Sequence, residues 1–330
     1  MKLFFKKILI FVFPLFLLVL GMDFYLRNMN SLYKEKLSGI IEHANEIEIL
    51  ILGNSHASYG VNPNYFTDYA FNIANAGQSI YFDKELTLQN LEALKKLKYV
   101  FISLDYHSPY FSSQRGERNI WSYYGNGIKY YSTSYYKADI SPFLFGYYPR
   151  VSFSFLRKDL LAKWKFRNHD RYLDFNTEMG VNKTDVLAKG FVTFSGTDTS
   201  AFKNNYYLDR MNGHDNLINN STEEELVLNE LDELITKLHS KGITAIFFST
   251  PTFKDYNKIL EPDIITHNNL ITKKLCKKYN MEFMDYSINH DFIKDEFFNP
   301  DHLNKKGAAR FGKMLNSKLK LYNNESISPK

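Results

Sequence analysis

Glu46-Ile47-Glu48-Ile49-Leu50-Ile51-Leu52-Gly53-Asn54-Ser55-His56 is the stretch on which the fold of this chain turns. Its apolar run reads as a buried parallel strand. A serine just past the carboxyl end of a first α/β strand points into the crevice where such sheets bind ligands. Far downstream, Asn299-Pro300-Asp301-His302-Leu303-Asn304 offers a histidine and a carboxylate just before a final helix. A serine hydroxyl is a poor nucleophile until a base takes its proton and a third group orients that base. The two segments together hold the residue types for that chemistry.

The rest of the chain supplies the sheet and its helices. Leucines at 86, 88, 91, 94 and 97 fall near helical spacing and predict a helix over 83–98, followed by a strand over 99–104. Leu226, Leu228, Leu231, Leu234, Ile235 and Leu238 predict a helix over 222–241, capped by Ser221 or Thr222. A strand over 243–249, a helix over about 263–279, a short strand over 281–284 and a last helix over 305–322 complete the alternation. Strands alternating with helices predict an α/β sheet covered on both sides. Residues 106–220 break the rhythm; they are rich in Tyr, Phe, Ser, Asn and Gly and read as an insertion that walls the crevice.

Composition bounds the function classes. An apolar content of 44% predicts a substantial core, and the formal charge of +5 gathers partly at Lys2, Lys6 and Lys7. No basic stripe, zinc spacing or RNA-binding signature appears, which argues against nucleic acid. The 24 Tyr and 28 Phe fit either a compositional bias or a surface that packs against sugar rings. The lone Cys276 excludes an intrachain disulfide and reads as a packing residue. Asp105 and His107 lack a third partner at metal-ligand spacing, and no metal or other cofactor is expected.

The amino terminus carries its own signal. Three lysines precede an uncharged, almost wholly apolar run from Ile8 to Met22. A spanning helix needs about 20 apolar residues, reached here by including Leu3-Phe4-Phe5 and Phe24-Tyr25 at the two interfaces. An uncleaved signal anchor over 1–27 is preferred to a cleaved signal peptide, because no small-x-small site follows the run. Either reading puts the body of the protein outside the cytoplasm, and the preferred anchor holds it on the cytoplasmic membrane. Residues 28–45 are expected to form a polar stalk, and 46–330 the main domain.

Gly53-Asn54-Ser55-His56 after a strand, Asn72-Ile73-Ala74-Asn75-Ala76-Gly77-Gln78-Ser79, and Asp301-His302-Leu303-Asn304 with Gly307 resemble the SGNH/GDSL hydrolase superfamily, in particular its membrane-anchored members found with cell-envelope polysaccharide genes. These motifs lie in about half of the chain, 46–104 and 242–321. The resemblance implies a three-layer, flavodoxin-like α/β/α domain. It also implies Ser55 as nucleophile and His302 as general base, with the N–H groups of Ser55 and Gly77 holding the oxyanion. The orienting aspartate of that superfamily usually lies three residues before the histidine; here Asn299 stands there and Asp301 is adjacent. Asp301, Asn299 and, more distantly, Asp285 are therefore the candidates for the third member. The superfamily's oxyanion asparagine has no counterpart at Ser103-Leu104-Asp105-Tyr106-His107, and Asn75 is the candidate replacement.

The expected function is a serine-dependent acyl-ester hydrolase or O-acyltransferase. The resemblance points to O-acetyl groups on an envelope glycan or a small acyl ester, and to envelope polysaccharide machinery as partner. The alternative is a non-catalytic, membrane-tethered glycan-binding or assembly protein that keeps the fold. His56 reads as structural, and a phosphate-binding loop is disfavoured because Gly53 opens no glycine-rich run.

Overall fold

The computed structural model describes residues 2–27, 32–111, 123, 125–128, 189–202, 218, 223–258, 260–288 and 291–327. The chain divides into two compact units, one of residues 1–34 and 115–174, the other of 35–114 and 175–330. In the first, Lys2–Arg27 form helix α1, with Pro14 inside it. Its described apolar side chains, from Leu3 to Leu20, are exposed, Phe11 by 72% and Leu18 by 65%. Among the described residues no helix is long and apolar enough to cross a membrane. The run from Ile8 to Met22 includes Val19 and Met22, whose side chains lie outside that description.

The second unit holds five parallel strands: β1 (Ile49–Leu52), β2 (Ala70–Asn72), β3 (Tyr99–Ser103), β4 (Thr244–Phe248) and β5 (Phe283–Met284). Their order is β2-β1-β3-β4-β5, the flavodoxin-like order, with every neighbouring pair parallel. Successive side chains of a strand face opposite sides, and Ile49, Leu50, Ile51 and Leu52 are all fully buried. Both faces of the sheet are therefore covered. Each of these aliphatic side chains contributes on the order of 2 kcal/mol by leaving water.

Helix α2 (Leu32–Glu42) precedes β1, and α3 (Ser55–Gly60) starts three residues after it. Helix α4 (Ile80–Asn90) packs on α5 (Glu224–Ser240), while α7 (Lys305–Ile327) packs on α3; α6 (Pro262–Tyr279) lies between β4 and β5 in sequence. The bounds follow the leucine and aliphatic spacing closely, although the predicted helix over 83–98 shifts to Ile80–Asn90. Thr222 and Ser221, the expected caps of α5, lie outside the described residues. Cys276 sits in α6, partly buried, where burial and nearby Glu282 raise its thiol.

Two expectations change. Of the expected stalk over 28–45, residues 28–31 lie outside the described residues, and those from Glu35 on belong to the α/β unit, with Ile40 buried and the buried Lys36 ammonium donating to the Ala74 carbonyl. The loop before the last helix is a small antiparallel hairpin of β6 (Phe297–Asn299) and β7 (His302–Leu303), with Asn299 facing His302 across a Pro300-Asp301 turn. Asn at the first and Pro at the second position are the residues a tight turn of this kind takes. Of the insertion, 106–111, 123, 125–128, 218 and, as the longest strip, 189–202 are described. There the Lys189 carbonyl accepts from the Asn72 N–H and the Phe194 carbonyl from the Lys305 N–H, joining this strip to both halves of the unit.

Candidate active site

The serine is presented by a turn that only glycine permits. Gly53 has φ +138°, and a Cβ there would come within 2.5 Å of Ser103 Cβ and 3.0 Å of Ala57 Cβ. The chain leaves β1 against β3 and enters α3 at once. Asn54 caps that helix, its Oδ1 accepting from the His56 N–H at 2.9 Å. Ser55 is then the first helical residue, at the switch point of the sheet between β1 and β3.

The base arrives from the hairpin. His302 Nε2 lies 2.9 Å from Ser55 Oγ. His302 is buried while Ser55 is partly open, so the hydroxyl is reachable and the imidazole is sheltered behind it. Tyr59, Phe194 and His56 pack edge-on around the ring, with centroids 5.5, 6.3 and 5.0 Å away. Gly307 sets the hairpin's height over α7, since a Cβ there would fall 2.1 Å from the Glu296 carbonyl oxygen. The amino end of α7 is capped by Asn304, whose Oδ1 accepts from the Lys306 and Gly307 N–H groups.

Both candidate orienting groups reach the same nitrogen. Asn299 Oδ1 is 3.0 Å and Asp301 Oδ1 3.2 Å from His302 Nδ1. Asn299 Oδ1 also accepts the His302 backbone N–H at 2.8 Å and the Asp301 N–H at 3.3 Å, so the oxygen of this amide must face the ring. The Asn299 acceptor, with the Asp301 charge beside it at ion-pair distance and not in hydrogen-bond geometry, places the proton on Nδ1 and leaves the Nε2 lone pair facing Ser55. Asp285 is elsewhere, accepting from Ser249 Oγ and the Ser287 N–H.

Behind this pair runs a buried chain of charge. Asp301 Oδ2 lies 3.8 Å from His56 Nε2, and His56 Nδ1 lies 3.3 Å from Asp105 Oδ1. These are charge pairs rather than aligned hydrogen bonds, since neither ring nitrogen of His56 meets hydrogen-bond geometry. Burial alone would lower the His56 imidazole, but Asp105 and Asp301 outweigh it and raise it to about 9. Burial would likewise raise Asp105, yet His56, His107 and the Ser103 hydroxyl hold it well below the usual carboxylate range. Asp105 also accepts from Thr250 Oγ1 at 3.3 Å. His56, read from sequence as structural, thus sits at the centre of the network; its place in the Gly53–His56 tetrapeptide was the available signal.

The oxyanion candidates lie on the loop from β2 to α4. Gly77 has φ +70° at an exposed position, and a Cβ there would meet nothing within 4 Å, so backbone conformation rather than crowding requires glycine. Asn75 is buried, and its Nδ2 donates to the Ile73 carbonyl and to Gln78 Oε1, both at 3.2 Å. Its amide hydrogens are thereby committed to the loop itself. A further group escaped the sequence reading: Asp83, wholly buried, whose Oδ1 accepts from the Gly53 N–H at 3.1 Å and from Gln78 Nε2 at 2.6 Å. Burial raises this carboxyl to about 7 against those two hydrogen bonds. It borders a recess of about 210 Å³, counted out to open solvent, with Gly53, Asn54, Ser79 and Phe111.

His56, Asp301 and His302 bring ligand-type atoms within 4.8 Å of one another. Both nitrogens of His302 are already engaged, one with Ser55 and one with Asn299 and Asp301, so a metal there would have to break the serine contact.

No family model matches the chain, and no curated protein does. Among solved structures it is similar to a candidate acylhydrolase from Bacteroides fragilis, with 12% identity over 84% of this chain and 88% of that one, at a TM-score of 0.36. A likeness at that level says nothing about activity.

Proposed function

We propose that this protein is a serine-dependent acyl-ester enzyme working through an acyl-enzyme on Ser55. The observation that carries the reading is the 2.9 Å contact between Ser55 Oγ and His302 Nε2, with Asn299 and Asp301 on the far nitrogen. Ser55 Oγ attacks the ester carbonyl as its proton passes to His302 Nε2. Asp301 balances the imidazolium and Asn299 keeps the ring in place. The N–H groups of Ser55 and Gly77 are the proposed oxyanion donors. His302 then returns the proton to the leaving alcohol, and the acyl group passes to water or to a second hydroxyl. The first outcome is an esterase, the second an O-acyltransferase; the proposed substrate is an O-acetylated envelope glycan. A protein that only bound glycan would have no use for a serine–imidazole pair backed by a buried carboxylate.

A fluorophosphonate probe tests this on the full chain. Covalent labelling that disappears in Ser55→Ala supports the enzyme reading; folded wild-type protein that takes no label sinks it. Release of acetate from acetylated glycan, against transfer to an added sugar acceptor, separates the two outcomes.

The same proposal places the enzyme at a membrane through α1. Its support is a 26-residue helix whose described apolar side chains, from Leu3 to Leu20, are exposed, beside Lys2, Lys6 and Lys7. The α/β unit is proposed to face away from the cytoplasm. Resistance to alkaline carbonate extraction, and protease access to the α/β unit in intact spheroplasts, are the expected results. Extraction by carbonate would remove the anchor, and protection from protease would reverse the orientation.

A further inference from the structure

We infer that His56 is a positioning residue for the Ser55–His302 pair, an imidazolium clamped between Asp105 and Asp301 that fixes the Asp301 carboxylate against His302 and moderates its pull. The inference rests on the serine-enzyme reading above and adds a group behind the proposed triad.

The geometry is that of one carboxylate shared by two histidines. Asp301 Oδ1 stands 3.2 Å from His302 Nδ1, while Oδ2 stands 3.8 Å from His56 Nε2. On its other side His56 meets Asp105 Oδ1 at 3.3 Å, and Asp105 is itself held by Ser103 Oγ at 2.9 Å. All three side chains are nearly fully buried. Two carboxylates buried this close to one ring would repel each other without a cation between them. His56 is held from its own backbone too, because Asn54 caps its N–H and α3 begins there.

Among the described residues, the titratable groups facing His56 come from two elements. Asp105 and His107 belong to the segment after β3, and His107 lies edge-on at 5.8 Å. Asp301 and His302 come from the hairpin, with the His302 ring 5.0 Å away. With its proton, His56 neutralises Asp105 and leaves Asp301 as the charge that serves His302. It also sets a positive charge beside His302, which opposes protonation of that ring and keeps Nε2 available as a base near neutrality. The raised basicity of His56 agrees with this arrangement.

The experiment is a titration of the histidine rings by NMR on the full chain in detergent, with the pH profile of fluorophosphonate labelling beside it. His56→Gln removes the cation. His56→Gln combined with Asp105→Asn removes cation and counter-charge together, and guards against a single variant that fails to fold. In the wild type, His56 is expected to keep its proton through pH 8. In the double variant, the His302 midpoint and the acid limb of labelling should both move up by about one pH unit. A His56 ring that is neutral at pH 7 overturns the inference. So does a His302 midpoint that stays put while labelling merely slows at every pH. A wild type that folds but never labels defeats the serine-enzyme reading instead, and the two ring midpoints still decide whether His56 and His302 are coupled.

Discussion

Asp301 and His302 are neighbours in sequence, and Asp301 Oδ1 nonetheless lies 3.2 Å from His302 Nδ1. Adjacent residues of a strand point to opposite faces. Asp301 escapes that rule because it belongs to the turn and His302 opens β7, so alternation starts one residue too late to separate them. Asn299, three residues before the histidine, reaches the same nitrogen at 3.0 Å. On the proposed mechanism, charge and orientation are divided between these two residues.

That division predicts unequal losses. Asp301→Asn keeps the shape and removes the charge, and is expected to lower the rate of Ser55 acylation by about 10³–10⁴-fold. Asn299→Ala keeps the charge and loosens the ring, with an expected loss of about 10–100-fold. Asn299→Asp should be milder than either. Single-turnover labelling kinetics measure all three, and equal losses in the first two would refute the division.

Asp83 predicts a dependence of stability on pH. Its carboxyl is near ~3.9 in an unfolded chain and about 7 when buried. The folded state therefore holds the proton more tightly; the associated stability is complete at low pH and is lost as pH rises through about 7. Asp83→Asn keeps an oxygen for the Gly53 N–H and Gln78, and should melt higher than wild type by roughly 3 °C above about pH 7. Thermal melts at about pH 5 and about pH 8 check it, and a difference that does not grow with pH counts against the assignment.

The two glycines that frame the site should differ from the one on the loop between β2 and α4. Gly53→Ala and Gly307→Ala meet atoms at 2.5 and 2.1 Å, so each should cost more than ~2 kcal/mol and reduce labelling by shifting Ser55 or the hairpin. Gly77→Ala meets open space and bears only its φ of +70°, a cost of about 1 kcal/mol. Denaturant melts of the three variants read this order directly.

Much of this architecture was legible in the residues. Strands β1, β3 and β4 are continuous apolar runs, and such runs announce themselves because both faces are buried. Ser55 and His302 were marked by their neighbours, and the fold joins them. What stayed hidden is short or three-dimensional. Strand β2 has three residues and α3 six, too few to show a period. The hairpin was concealed by its two-residue turn, which in sequence looks like any loop. Asp83, Asp105 and His56 carry no periodic signature, since buried polar partners are chosen by contact across the fold and not along the chain.

The bond between Ser55 and His302 spans 247 positions of sequence. A chain made from its amino end first therefore carries its serine without a base until almost all of it has been synthesised. The parallel sheet can assemble around β1 and β3 while the hydroxyl is still an ordinary alcohol. On the proposed mechanism the serine gains its base only when the last hairpin docks and α7 packs on α3, so the order of synthesis itself keeps the hydroxyl inert until the fold is complete.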